Sequence, residues 1–412
     1  MMSKRFLQLH VLTSYPAALL NRDDAGFAKR LPFGNGVRTR ISSQCLKRHW
    51  RTHDGAFSLT EIGVDMAVRS RLTFQRKIYE PLVAEGINPD LADAVTRALM
   101  ENVLGKSAKA KSKAKADDKT GSEILTSQIT VLGVPELLWM LDEARAVCAE
   151  QTDVKKAGEA LKSRLGKEGE KNLKALKNAA IGLDGAMFGR MVTSDILARG
   201  DAAVHVAHAF TVHGEQTESD YFSAVDDLLQ IEDGKLGSGH INSTELTSGL
   251  YYVYVAVDLP LLVSNLEGCH RKDWESANKE LAARVVEHLV QIVATVSPGA
   301  KLGATAPHAY ASAVLAELGN SQPRTLANAF LNTVNTTRNN PDLLENTYLA
   351  MAGHIRDLDA MYGVTTARQL AATGASKELV GAIGVSKPVP LTELAEWIGK
   401  EIRLAERAVA PA

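Results

Sequence analysis

The sequence is short of cysteine, aromatic residues and net charge, and it has no long apolar run. Three cysteines, Cys45, Cys148 and Cys269, stand far apart in 412 residues with no CxxC pair. An odd, scattered set excludes a disulfide framework and a cysteine-based zinc site, and it suits a reducing, cytoplasmic setting. No stretch approaches 18 uncharged apolar residues, so no membrane span is expected. The first residues, MMSKRFLQLHVLTSYP, lack the apolar core and cleavage site of a secretion signal and read as a strand. With 47 basic and 48 acidic residues the chain is almost neutral. Any binding to a polyanion must therefore rest on uneven placement of charge. Catalytic signatures are missing too. There is no G-x-S-x-G elbow, no H-E-x-x-H and no G-x-x-x-x-G-K-[ST] phosphate loop.

What is present is an ordinary globular composition, 45% apolar and 23% charged, long enough for two or three units. A dense apolar run at 5–13 predicts the first strand, broken at Tyr15-Pro16. Residues 21–36, rich in Gly, Pro, Asn and Asp, read as loop. Ser42 reads as the N-cap of a helix to about Arg51, and amphipathic helices follow from about 60 to 101. Residues 105–122 hold six lysines and no large apolar side chain, which predicts a mobile loop. Residues 135–180 read as helical, 203–213 as one strand, 221–230 as a short helix, 232–247 as a Gly-rich hairpin and 249–259 as a strong strand. A helix is expected at 271–296, and the last hundred residues read as mostly helical. Few, widely spaced strands with helices between them predict an α+β fold with a large helical insertion.

The strongest local feature is the stretch 29–51. It carries Lys29, Arg30, Arg38, Arg40, Lys47, Arg48 and Arg51 and no acid. On a helix capped by Ser42, the residues Gln44, Lys47, Arg48 and Arg51 share one side, while Leu46 and Trp50 face another. The helix N-terminus adds amide donors suited to phosphate. The plainer reading is a basic face matched by acids elsewhere, or by an acidic protein partner. The adjacent Asp23 and Asp24 could hold Mg²⁺ for phosphodiester cleavage, although such pairs more often shape an Asx turn. His205, His208 and His213 alternate on one strand with poor geometry for a shared metal, and His10 and His308 have no evident partner. Apolar residues at 187–191 and Tyr221-Phe222 read as core anchors or as wedges that stack on bases.

These pieces, in this order, resemble the CasC family, the backbone subunit of the type I-E CRISPR surveillance complex (Cascade). The likeness is carried by His10-Val11-Leu12, Leu20-Asn21-Arg22-Asp23-Asp24, Phe33-Gly34, and Arg40-Ile41-Ser42-Ser43-Gln44 with Leu46-Lys47-Arg48 and Arg51. Further blocks are Gly189-Arg190-Met191 with Thr193-Ser194, Val206-Ala207-His208-Ala209 on to Phe222, Ser248-Gly249, and Pro298-Gly299-Ala300-Lys301. The resemblance implies a modified RRM (ferredoxin-like) palm from residues 1–58 and 181–330, with a protruding hairpin thumb at about 215–248. It also implies a helical finger domain at 59–180 and a C-terminal helical region, 331–412, packed on the palm. Several copies would line one CRISPR RNA, which pairs with target DNA, beside other Cascade subunits and a separately recruited helicase-nuclease. Arg22, Lys29, Ser42, Gln44, Lys47, Arg48 and Arg51 would contact phosphate and sugar. Met191, Thr193, Ser194, Tyr221 and Phe222 would flank a displaced base, and Lys301 would touch the backbone. No catalysis, metal or cofactor is expected. The competing expectation is a metal-dependent endoribonuclease using Asp23 and Asp24.

Overall fold

The computed structural model describes residues 4–104, 124–165, 181–190, 200–225, 238–299, 306–336 and 342–405, with backbone alone at 222–225 and 238–242. The lysine-rich stretch 105–122 lies outside them. The fold is α+β, and the chain forms two compact units.

The first unit takes Met1–Leu59, His205–Asp258 and Ala283–Ala412. Its strands are β1 (Phe6–Ala18), β2 (Arg30–Phe33), β3 (Gly36–Ile41), β6 (Val204–Val206, at the boundary), β7 (Ala209–Thr211), β8 (Thr217–Val225), β9 (Ser238–Asp258), β10 (Ala311–Gly319) and β11 (Thr366–Ala372). They form an antiparallel sheet in the order β11-β10-β1-β9-β7-β3-β2, with β6 and β8 also pairing with β9. β1 is therefore central and is buried on both faces: Leu7, Leu9, Val11 and Leu12 are inaccessible, and so are Gln8 and His10. Its helices are α1 (Ser43–Thr52), α8 (Glu280–Thr295, beginning at the unit boundary), α9 (Leu343–Tyr362), α10 (Lys377–Ile383) and α11 (Leu391–Arg403). Tyr348, Met351 and Ile355 of α9, with Leu379 and Ile383 of α10, pack on Leu12, Tyr252, Leu315 and Leu370 of the sheet. Each such apolar side chain contributes about 1.5–3 kcal/mol on burial.

The second unit takes Thr60–Val204 and Leu259–Ala282. It contains α2 (Glu80–Ala84), α3 (Pro89–Leu104), α4 (Val134–Glu150), α5 (Val154–Arg164), α6 (Leu183–Phe188) and α7 (Leu259–Glu267), with the short pair β4 (Val68–Ser70) and β5 (Thr130–Leu132). The stripe Leu91, Val95, Leu99, Val103 repeats every four residues on α3 and enters one core with Met140, Ala144 and Leu161. Arg190 is buried and paired with Glu136, whose carboxylate also accepts from the Gly133 amide at the start of α4.

Several elements differ from expectation. β1 runs past Tyr15-Pro16: Pro16 has no amide to donate, so the register with β9 shifts there instead of ending, with Ala17 at φ 40°. The Gly-rich 21–36 loop contains β2 and leads into β3. The single strand expected at 203–213 is split at Ala207-His208 into β6 and β7. Tyr221 begins no helix, because residues 217–225 pair with 238–247 as β8 and β9. The last hundred residues bear α9 to α11 but also the sheet strand β11.

His10 has partners that its sequence context did not disclose. Its ring meets the Tyr252 hydroxyl at 2.8 Å and the Glu317 carboxylate at 3.1 Å. Arg324 and Arg368 also bind Glu317, at 2.8 and 2.7 Å. Burial pushes the Glu317 carboxyl upward, but His10, Arg324 and Arg368 prevail and hold it below the usual range. Burial holds His10 below its ordinary value, so it is neutral and donates to Glu317. His213 is likewise depressed by burial. Its Nδ1 donates to the Gly214 carbonyl at 2.7 Å and its Nε2 accepts from the Leu250 amide at 3.1 Å. Both histidines bind protons more readily unfolded than folded, so stability is full above pH ~6.5 and falls as pH drops below it, by at most about 1.4 kcal/mol per pH unit for each. Urea denaturation at pH 7.5 and 5.5 is expected to show a lower midpoint at the acid pH, and His213→Gln should narrow the gap.

Candidate nucleic-acid interface

The acid-free stretch 29–51 folds as a strand hairpin, β2–β3, followed by α1. Gly34 opens the two-residue turn between the strands at φ +61°, and a Cβ there would strike the Leu331 carbonyl. Ser42 leaves β3 extended and caps α1: its hydroxyl accepts from the Cys45 amide at 3.3 Å. Leu46 and Trp50 are buried, Gln44 and Arg48 are exposed, and Lys47 and Arg51 are half-buried. The first turn holds no acid to compete with an anion for its amides.

The seven cations divide by environment. Arg38 is wholly buried and donates to the carbonyls of Thr211 (3.2 Å), Phe330 (2.8 Å) and Phe33 (3.4 Å). Arg30 pairs with Glu215 and Glu245. Arg40 donates from Nε to the Arg30 carbonyl (3.1 Å) and from Nη1 to His208 Nδ1 (2.9 Å). Burial first, then Arg40 and Lys29, keep His208 below its ordinary pKa, so its ring is the acceptor. These three arginines hold the sheet together. Lys29, Lys47, Arg48 and Arg51, with Arg22 in the preceding loop, form the cationic surface.

That loop is tied to α1. Asn21 Oδ1 accepts from the Ser42 amide at 2.9 Å, Lys29 N donates to the Asn21 carbonyl at 2.9 Å, and Arg22 bridges to Ala28. Asp23 shapes the turn, though not as an Asx turn: its Oδ1 accepts from the Phe27 amide at 3.0 Å, four residues on, and its carbonyl accepts from the Gly26 amide at 3.2 Å. Among the described residues no group of His, Cys, Asp and Glu is disposed to hold a metal. Burial pushes the Cys45 thiol up to about 11, which leaves no thiolate nucleophile at neutral pH.

Two further connections reach the surface. His49 on α1 donates from Nδ1 to the Cys45 carbonyl (2.8 Å) and accepts from the Gly299 amide at Nε2 (3.2 Å). Ser297 Oγ bonds both the amide and the carbonyl of Ala309. The flanks of the Lys301 segment are thus fastened together and to α1; Lys301 itself lies outside the described residues. Glu215 and Glu245, at the foot of the β8–β9 ribbon, join that ribbon to Arg30, and Glu245 also accepts from the Ala28 amide at 2.6 Å. Tyr221 on β8 is 64% exposed, opposite Ser243. The backbone of Phe222 pairs with Asn242. Met191, Thr193 and Ser194 lie outside the described residues. Their neighbour Arg190 closes a bridge to Gly200.

Sequence reasoning missed the joint of Arg30 with Glu215 and Glu245, the Arg40–His208 contact and the His49–Gly299 bond. The alternation Val37-Arg38-Thr39-Arg40-Ile41 did carry a strand signal that would have set Arg38 apart from the helical cations. Arg38→Ala should cost about 3 kcal/mol, from lost packing and three carbonyls deprived of a donor. Arg48→Glu should change stability by less than about 0.5 kcal/mol. Urea denaturation of both variants distinguishes the structural arginine from the surface one.

Comparisons with known proteins bear on this surface. A family model described as CT1975-like protein matches residues 7–397. No curated protein matches the chain. Among solved structures, a chain of a "CRISPR RNA-guided surveillance complex, pre-nicking" superposes with a TM-score of 0.74 at 25% identity, covering 96% of this chain and 100% of that one. A chain of another "CRISPR RNA-guided surveillance complex" gives a TM-score of 0.65 at 22% identity, covering 96% and 99%, a likeness of fold.

Proposed function

This chain belongs to the CT1975-like protein family, and from that membership and the cationic surface we propose that it is a CRISPR-RNA-binding subunit of a Cascade-type surveillance complex. More finely, it is the non-catalytic backbone subunit of a type I-E complex. Copies of the chain line one guide RNA in the cytoplasm, beside other subunits. The guide pairs with target DNA to form an R-loop, while a separate helicase-nuclease does the cutting. The sheet unit then serves as an RRM-like palm, the β8–β9 ribbon as its thumb and the helical unit as the finger domain.

The observation that carries this reading is α1 itself. Its buried edge, Leu46 and Trp50, fixes the helix, and its other side offers Gln44, Lys47, Arg48 and Arg51 beside Arg22 and Lys29 with no acid in the first turn. Such a surface suits a sugar-phosphate backbone read without regard to sequence, which is the division of labour in RNA-guided recognition. Tyr221 supplies an exposed ring able to stack on a base. Asp23 is engaged in its own turn, which favours a structural over a catalytic role for the acidic pair.

The purified assembly is expected to show a raised ratio of absorbance at 260 to 280 nm, with bound RNA of CRISPR-repeat sequence. Lys47→Glu with Arg51→Glu should abolish RNA co-purification; retained RNA would sink the reading. If four cations of the surface each neutralise one phosphate of a single strand, the log-log dependence of affinity on salt should have a slope of roughly −3. Cleavage of labelled RNA in Mg²⁺ that disappears in Asp23→Ala would overturn the non-catalytic assignment.

A further inference from the structure

A recess of about 360 Å³ lies at the surface of the sheet unit, lined by Asp23, Asp24, Ala28, Lys29, Arg30 and Arg40. That volume falls in the range of small-ligand sites, about 300–1,000 Å³. Its charges are not paired across it. Arg30 is committed to Glu215 and Glu245. Among the described residues, the Lys29 ammonium and the Asp24 carboxylate make no side-chain hydrogen bond or ion pair. Asp23 uses Oδ1 alone, on the Phe27 amide. Arg40 uses Nε and Nη1, on the Arg30 carbonyl and His208, and leaves Nη2. Backbone bonds keep the groups in place: Asp23 N donates to the Phe27 carbonyl at 2.8 Å and Arg40 N to the Lys29 carbonyl at 2.7 Å.

Cationic donors and a carboxylate acceptor therefore share one space without meeting. A ligand that satisfies both must present anionic oxygens and, close by, a neutral hydrogen-bond donor. A ribonucleotide does so with its phosphate and its 2′-hydroxyl, and a deoxyribonucleotide has the phosphate alone. A bare phosphate would be repelled by Asp24, so this carboxylate is favourable only when a hydroxyl donates to it. We propose that this recess reads the sugar: Lys29 and Arg40 hold a phosphate while Asp24 accepts the adjacent 2′-hydroxyl, which selects RNA over DNA. The inference rests on the reading of the chain as a guide-RNA binder and adds the group that tells the guide from DNA.

The test is fluorescence anisotropy of the full chain with labelled oligouridine and oligodeoxyuridine of equal length, with and without EDTA. The two probes carry the same base and differ only at the 2′ position of the sugar. The wild-type protein should prefer oligouridine. Asp24→Ala should lower the RNA-to-DNA affinity ratio by about tenfold, the size expected for a hydrogen bond to a charged acceptor. Lys29→Ala should weaken both probes alike and leave the ratio intact. An unchanged ratio in Asp24→Ala, or a parallel gain for both probes, would overturn the proposal. A loss of preference that EDTA reproduces in the wild type would assign the recess to a divalent cation and overturn it too. Tight RNA binding with no sugar preference would remove this inference alone, whereas no binding of either probe would remove the parent reading with it.

Discussion

The paired engagement of Arg30 with Glu215 and Glu245 is the constraint on which the cationic surface depends. It joins β2 to the foot of the β8–β9 ribbon, and Glu245 also takes the Ala28 amide, so one cluster fixes the loop, the edge strand and the ribbon at a common corner. Arg40 leans on the Arg30 carbonyl and on His208, and its amide bonds the Lys29 carbonyl. Asn21 then passes the constraint to the cap of α1 through the Ser42 amide. The exposed Arg22 and Arg48 thus lie on segments tied to this cluster through Asn21 and Ser42. Mixed pairs of this kind contribute modestly to stability where partly exposed, and their larger effect here is to fix geometry.

Parts of this were legible in the sequence. Ser42 as an N-cap, Leu46 and Trp50 as the inner edge of α1, and the exposure of Gln44 and Arg48 follow from helical period and capping chemistry alone. The α+β class followed from the spacing of strands and helices. β2, β3, β7 and β11 were harder because each is only three to seven residues long; β2 finds its partner next door in β3, but β3, β7 and β11 also pair with strands far away in sequence, Ile41 with Ala209 and Leu370 with Leu315. Residues 221–230 carry an apolar pattern too short to separate helix from strand by period, and pairing with 238–247 decides it for the described part.

The charges of 22–51 were legible as a cluster and not in their individual surroundings. Arg38, Arg40 and Arg48 are equal in composition, and only their surroundings part them: three carbonyls, a histidine ring, or open surface. The same holds for the two aspartates. Asp23 closes its own turn, while its neighbour Asp24 has a carboxylate with no partner among the described residues. Sequence spacing reports which charges lie near one another along the chain, but not which of them the fold has already neutralised.

β9 is one uninterrupted strand of 21 residues, from Ser238 to Asp258. Its second half lies against central β1, and its first half is the returning arm of the ribbon. At about 3.4 Å per residue it is on the order of 70 Å long. The ribbon is therefore anchored as a cantilever and not hung from a hinge. A sideways load on its outer part is passed to the ladder of Tyr252, Tyr254 and Ala256 with Leu12, His10 and Gln8, across the register shift that Pro16 and Ala17 introduce beside Thr247. A molecule pressing on the arm would be working against the stiffness of the whole sheet.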